Sequence, residues 1–135
     1  MSRKAVGAYG ESVAAHYLTK RGFTLIERNV ARKTGEIDLI MRKADPERDT
    51  LSFVEVKTIL CREFPDPSVV RDEYDPSVNL HELKIRKVAR TAEWYVMERC
   101  WEGEWQVDGA LVWLRARDGV AGRNARRRPS ALAAD

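Results

Sequence analysis

The sequence is poor in cysteine and histidine and has no long apolar run, and each shortage closes off a class of protein. Two cysteines, Cys61 and Cys100, are too few for a disulfide framework, so they read as free thiols in a reducing compartment. The two histidines, His16 and His81, lie far apart with no Cys or His partner at zinc spacing, which argues against a zinc site. No stretch approaches the ~20 consecutive apolar residues of a membrane span. The opening MSRKAVGAYGES also lacks the apolar centre of a secretory signal. No P-loop, dinucleotide fingerprint or serine elbow occurs. The expectation is a soluble cytoplasmic domain without a membrane partner.

What is present is enough for one core. At 135 residues with 44% hydrophobic and 33% charged side chains, the apolar content can offset the ordering entropy of a single domain. The net charge of +3 is unevenly spread. Residues 1–34 carry seven basic and two acidic side chains, whereas 35–75 carry six basic and eleven acidic. Residues 76–114 are close to balanced, and 115–135 hold six arginines against two aspartates. An acidic middle between basic ends suits a protein that gathers carboxylates at one place while its cationic segments meet an anionic partner. Solvated faces of a small charged domain would give the same pattern.

Periodicity supplies the elements. Val6, Tyr9, Val13 and Tyr17, with Ala14 and Leu18, recur at helical steps over 5–21, and Gly22 marks the end. Phe23–Val30 reads as a strand and 31–35 as a turn. Residues 36–42 alternate, with Ile37, Leu39 and Met41 on one side and Glu36, Asp38, Ile40 and Arg42 on the other. Leu51, Phe53, Glu55 and Lys57 alternate against Ser52, Val54 and Val56, completing a hairpin with the preceding strand. A proline-bearing acidic loop follows to Pro76, and Ser77 is a candidate cap for a helix running to about Cys100. Trp105–Leu114 reads as the last strand, giving the order α-β-β-β-α-β and a mixed sheet flanked by helices. The domain is expected to span 1–116, with 117–135 a disordered basic tail.

Two strings carry chemistry, Gly35-Glu36-Ile37-Asp38-Leu39-Ile40 and Phe53-Val54-Glu55-Val56-Lys57. Hairpin pairing brings Asp38 alongside Glu55 and Lys57. Two carboxylates at one point repel and desolvation opposes charging either, a conflict that a hard divalent cation resolves. A lysine beside such a cation can position water or stabilise charge growing on a phosphate. An exposed Glu55–Lys57 ion pair with a solvated Asp38 accounts for the same tripeptide, and the residues alone leave both readings open.

On these strings, together with Gly10-Glu11, Ala14, Tyr17, Leu18, Gly22, Arg28-Asn29, Lys84 and Asp108, the chain resembles the uncharacterised bacterial YraN family. Its members look like nucleases of the restriction-endonuclease-like, or PD-(D/E)XK, superfamily, akin to Holliday-junction resolvases. The resemblance runs from Gly7 to about Leu114. It implies a restriction-endonuclease-like α/β core with Asp38, Glu55 and Lys57 as the catalytic signature. Asp38, Glu55 and the Val56 carbonyl would hold Mg²⁺ or Mn²⁺, Lys57 would orient the attacking water, and Glu11 would stand near the metal. Arg28 and Lys84 would meet nucleic acid, most of all DNA. The run Arg126-Arg127-Arg128 can add phosphate contacts without sequence preference. The implied activity is Mg²⁺-dependent phosphodiester hydrolysis on DNA, of branched or damaged form, by a homodimer as in resolvases. A non-catalytic nucleic-acid-binding or adaptor protein on the same fold is the rival reading. Trp94, Trp101, Trp105 and Trp113 are assigned to packing rather than to base stacking.

Overall fold

The computed structural model describes residues 2–64, 66, 82–115 and 123–129. Helix α1 (Arg3–Thr19) leads into strands β1 (Phe23–Arg32), β2 (Gly35–Lys43) and β3 (Thr50–Cys61). Helix α2 (Glu82–Glu98) and strands β4 (Glu104–Arg115) and β5 (Arg123–Pro129) complete the chain. The strands form one sheet in the order β1-β2-β3-β4-β5. All neighbours are antiparallel except β3 and β4, which run parallel. A parallel pair needs a crossover between its strands, and α2 lies within it. Among the described residues no helix is long and apolar enough to cross a membrane.

The two helices cover opposite faces of the sheet. Val13, Ala14, Ala15 and Leu18 of α1 pack on Leu39, Met41, Val54, Ala110, Val112 and Leu114. Ile85, Val88, Ala92 and Tyr95 of α2 pack on Ile37, Ile40, Phe53 and Val107. These are the stripes that helical spacing picks out. Phe53 is fully buried and meets Tyr95 and Trp105 edge-on, with ring centroids 5.6 and 5.8 Å away. Tyr95 also donates its hydroxyl hydrogen to Glu27 Oε2 at 2.5 Å, tying α2 to β1.

Helix α1 begins earlier than its apolar stripe suggests, because Ser2 caps it by accepting from the Ala5 N–H at 3.1 Å. It approaches β3 most closely at Gly10, where an added Cβ would collide with Thr58 Oγ1. No residue larger than glycine fits there without moving the helix or the strand.

Three features differ from the sequence expectation. Strand β3 runs on to Cys61 rather than ending at Lys57, because it pairs with β4 over its full length, from Thr50↔Glu104 to Cys61↔Arg115. The expected disordered tail over 117–135 is corrected at Arg123–Pro129, which pairs as β5 along β4 from Leu114↔Arg123 to Asp108↔Pro129. An arginine-rich run gives no apolar alternation, and backbone pairing with an open strand edge needs none. The expected alternation of β2 also slips by one residue. Ile37 packs on the α2 side with Ile40, while Leu39 and Met41 face α1. The candidate helix cap Ser77 and most of the loop from Cys61 to Pro76 lie outside the described residues.

Trp113 is buried, Trp105 packs on Phe53, and Trp101 donates its ring N–H to the Glu104 carbonyl at 2.9 Å. Trp94 departs from the packing assignment, with half of its surface exposed on α2. Cys61 and Cys100 are free thiols, as expected.

Candidate active site

Asp38 sits where the β2–β3 ladder ends, opposite an irregular residue of β1. On the β1 side, Arg28↔Leu39 and Val30↔Ile37 are paired, and between them Asn29 takes the left-handed region at φ 53°. The register is the same on both sides of Asn29, and the ladder's register shift lies further back, between Leu25 and Glu27. On the β3 side, the β2–β3 ladder stops at Leu39↔Val54. Its next step would set Asp38 directly against Glu55, and like charges opposite one another destabilise a sheet. Here the strands part, leaving a fork in the sheet with Asp38 on one prong and Glu55 on the other.

The carboxylate of Asp38 bridges the gap. Its Oδ2 accepts the Val56 N–H at 2.7 Å, so a side chain satisfies the backbone donor that β2 no longer reaches. The Asp38 carboxyl is pushed up to about 7, first by burial and then by the neighbouring Glu55 charge, with the Val56 N–H pulling the other way. Glu55 is 2% exposed. Its Oε1 stands 2.6 Å from Lys84 Nζ at the start of α2. That contact compensates charge more than it satisfies a hydrogen bond, because Oε1 is buried and no donor is aligned on it among the described residues. The Lys84 ammonium is raised above its ordinary value, chiefly by Glu55 and further by Asp38 and Glu36, against the cost of its own desolvation.

Cavities open on both sides of the fork. One, of about 520 Å³, is lined by α1 and β3 residues including Arg3, Glu11, Val56 and Thr58. The other, of about 440 Å³, is lined by Glu36, Glu55, Lys87 and Val88 among others. Asp38 and Lys84 line both. Gly10 sets the first cavity's shape, because its contact with Thr58 brings the adjacent Glu11 over the fork.

The structure therefore brings together Asp38, Glu55, Val56 and Glu11, and it adds Lys84 to them. Lys57 follows two residues after Glu55 on β3, hence on the same face, and is half-buried, but it stands outside both cavity linings. Arg28, expected to face nucleic acid, instead clamps α1. Its guanidinium donates to Ser12 Oγ at 3.0 Å, the Ala8 carbonyl at 3.1 Å and Glu11 Oε1 at 3.3 Å. Lys84, expected to do the same, is engaged with Glu55. Arg126, Arg127 and Arg128 lie in β5, where Arg128 pairs with Gly109, itself the β4 partner of Glu55. Sequence reasoning missed Lys87 as a lining residue and reached Arg3 only as one cation of the basic N-terminal segment. Among the described residues no three His, Cys, Asp or Glu side chains form a ready cage for a metal. A pair of neighbouring carboxylates, one with an unsatisfied buried oxygen, nonetheless fits a cation that keeps most of its waters.

Residues 10–115 match the model of the uncharacterised protein family UPF0102. The chain belongs to the UPF0102 family. The match covers the fork, α1 from Gly10 onward, α2 and strands β1 to β4. Among UPF0102 proteins, one from Caldanaerobacter subterraneus subsp. tengcongensis is 36% identical over 96 residues, 71% of this chain and 68% of the relative. One from Campylobacter fetus subsp. fetus is 32% identical over 102 residues, 76% of this chain and 78% of the relative. A third, from Treponema pallidum, is 45% identical over 67 residues, and that alignment spans half the length of each chain.

Proposed function

We propose that this UPF0102 protein is a metal-dependent endonuclease of the restriction-endonuclease-like superfamily that hydrolyses phosphodiester bonds in DNA. The observation that carries this reading is the fork, where the β2–β3 ladder stops and Asp38 stands beside the buried Glu55. A carboxyl held near 7 by burial and a like charge is a poor structural element and a good cation ligand. Asp38, Glu55 and the Val56 carbonyl would hold Mg²⁺ or Mn²⁺, which when bound supplies a Lewis acid for the scissile phosphate and an acidified water.

The chain's own residues do the rest. The Val56 N–H fixes one oxygen of Asp38, which lines the cavities on both sides of the fork. Lys57 positions the attacking water or steadies charge growing on the phosphate, and Glu11 adds a carboxylate at the cavity wall. Arg3 on one side of the fork and Lys87 on the other are placed to meet backbone phosphates of a strand laid across it.

The test is calorimetric titration with Mn²⁺ and Mg²⁺, then incubation of labelled duplex, single-stranded and four-way DNA with each metal. Metal binding at one site and cleavage lost in both Asp38→Asn and Glu55→Gln are expected. Tight DNA binding with no cleavage of any substrate would transfer the protein to the class of non-catalytic binding modules.

A further inference from the structure

The Lys84 contact is not explained by packing. A lysine whose side chain is 63% exposed reaches inward to place its ammonium 2.6 Å from a carboxylate that is 2% exposed. An ion pair that one partner enters from solvent costs side-chain entropy and the partner's desolvation, and it persists where an uncompensated buried charge would cost more. Glu55 is such a charge, with its Oε1 otherwise unsatisfied among the described residues. Arg3, Lys84 and Lys87 are the cationic side chains that line the two cavities, and Lys84 is paired with a carboxylate of the fork. Its ammonium also feels Asp38 and Glu36, so it stands where the negative potential of the site converges.

We infer that Lys84 is the resident counter-ion of the metal-free site and leaves Glu55 when a divalent cation binds. This rests on the metal-binding reading above. An ammonium and a divalent cation gathered at Glu55 Oε1 repel each other, and the more highly charged ion compensates two carboxylates where Lys84 compensates one. The long, largely exposed side chain gives Lys84 an inexpensive exit to water. The lysine thus sets the metal affinity of the site by competition, and it protects the fork from the repulsion of Asp38 and Glu55 when metal is scarce.

The experiment compares wild type, Lys84→Met and Lys84→Arg in Mn²⁺ titrations without nucleic acid and in melting curves in EDTA. Lys84→Met keeps the stem and removes the charge. It should bind Mn²⁺ at least fivefold more tightly, melt lower in EDTA, and show a larger rise in Tm on adding Mn²⁺ than wild type. Lys84→Arg should return all three readings towards wild type. Unchanged or weaker Mn²⁺ affinity in folded Lys84→Met overturns the inference while leaving the metal site standing. If neither protein binds Mn²⁺, the metal reading itself falls and takes this one with it. A measurement on wild type alone guards against a variant that fails to fold. Acylation of lysines by an amine-reactive ester, read by peptide mass spectrometry, should rise at Lys84 on saturation with Mn²⁺, and unchanged labelling there overturns the exchange.

Discussion

Asp38 is asked to do two things that conflict, to replace a backbone acceptor in the sheet and to carry charge next to Glu55. The conflict gives stability a pH dependence of unusual sign for an aspartate. Unfolded, the carboxyl titrates near 3.8, and folded at about 7. Its contribution is complete below the unfolded value and is lost as pH rises through about 7, because the folded state then gives up a proton it had bound more tightly. In EDTA, wild type should therefore melt progressively lower from pH 5 to pH 8. Asp38→Asn, which keeps an oxygen for the Val56 N–H, should flatten that slope and match or exceed wild type at pH 8. A drop of several degrees in the variant at pH 8 would make the carboxylate structural. For Lys57, the nuclease reading places its contribution in the transition state. Lys57→Ala should then lower single-turnover cleavage by on the order of a hundredfold, roughly 3 kcal/mol, while DNA affinity measured in Ca²⁺ barely changes. Equal reductions in both would reassign it to phosphate binding.

At the scale of elements, the site depends on one close approach. The α1–β3 contact at Gly10 and Thr58 leaves no room for a methyl group, and Glu11 is the next residue. Gly10→Ala should cost about 1–3 kcal/mol, typical of an overpacked contact, and should also reduce cleavage by displacing Glu11. Shaving Thr58 to Ala in the same protein should recover part of the melting temperature, a coupling that a double-mutant cycle measures. Full additivity of the two changes would show that helix and strand do not press on each other there. The elements themselves were legible because their stripes are regular. Val13, Ala14 and Leu18, or Ile85, Val88 and Ala92, recur at helical steps and are the residues that pack. Asp38, Glu55 and Lys57 were legible as carboxylates and a lysine embedded in apolar strands. The slipped alternation at Ile37 was hidden, because it shows only in how β2 packs between the two helices, a tertiary fact with no local signal. Lys84 was legible through the family resemblance, as a residue expected to meet nucleic acid rather than a carboxylate. Its engagement with Glu55 depends on how the crossover returns α2 over the sheet.

For the whole molecule, the sheet grows outward from the parallel β3–β4 pair, and β5 is its last addition. Strand β4 is buried from Val107 to Leu114, so an unpaired β4 would present a long apolar edge. Truncation after residue 122 should lower Tm and promote self-association, observable by light scattering. Replacing Arg126, Arg127 and Arg128 by Gln keeps the backbone ladder and tests charge alone. If those arginines meet phosphates, the slope of log affinity for duplex DNA against log salt should become shallower by about 0.9 for every phosphate they neutralise. An unchanged slope would leave the N-terminal cations, Arg3 first among them, to supply that attraction. The basic tail was visible as charge and not as structure, since a strand recruited by an open edge is specified by its partner.

The hydrogen bond from Val56 to Asp38 has a spectroscopic consequence. An interior strand amide is ordinarily shielded from exchange with solvent by the neighbouring strand, whereas this one is shielded by a side chain at a titrating position. Its exchange rate and its proton resonance will follow the ionisation of Asp38, while the amides of β4 opposite stay silent. One peptide group in the middle of the sheet is thereby a reporter of what the fork holds, readable by NMR in the intact protein without any label attached to the site.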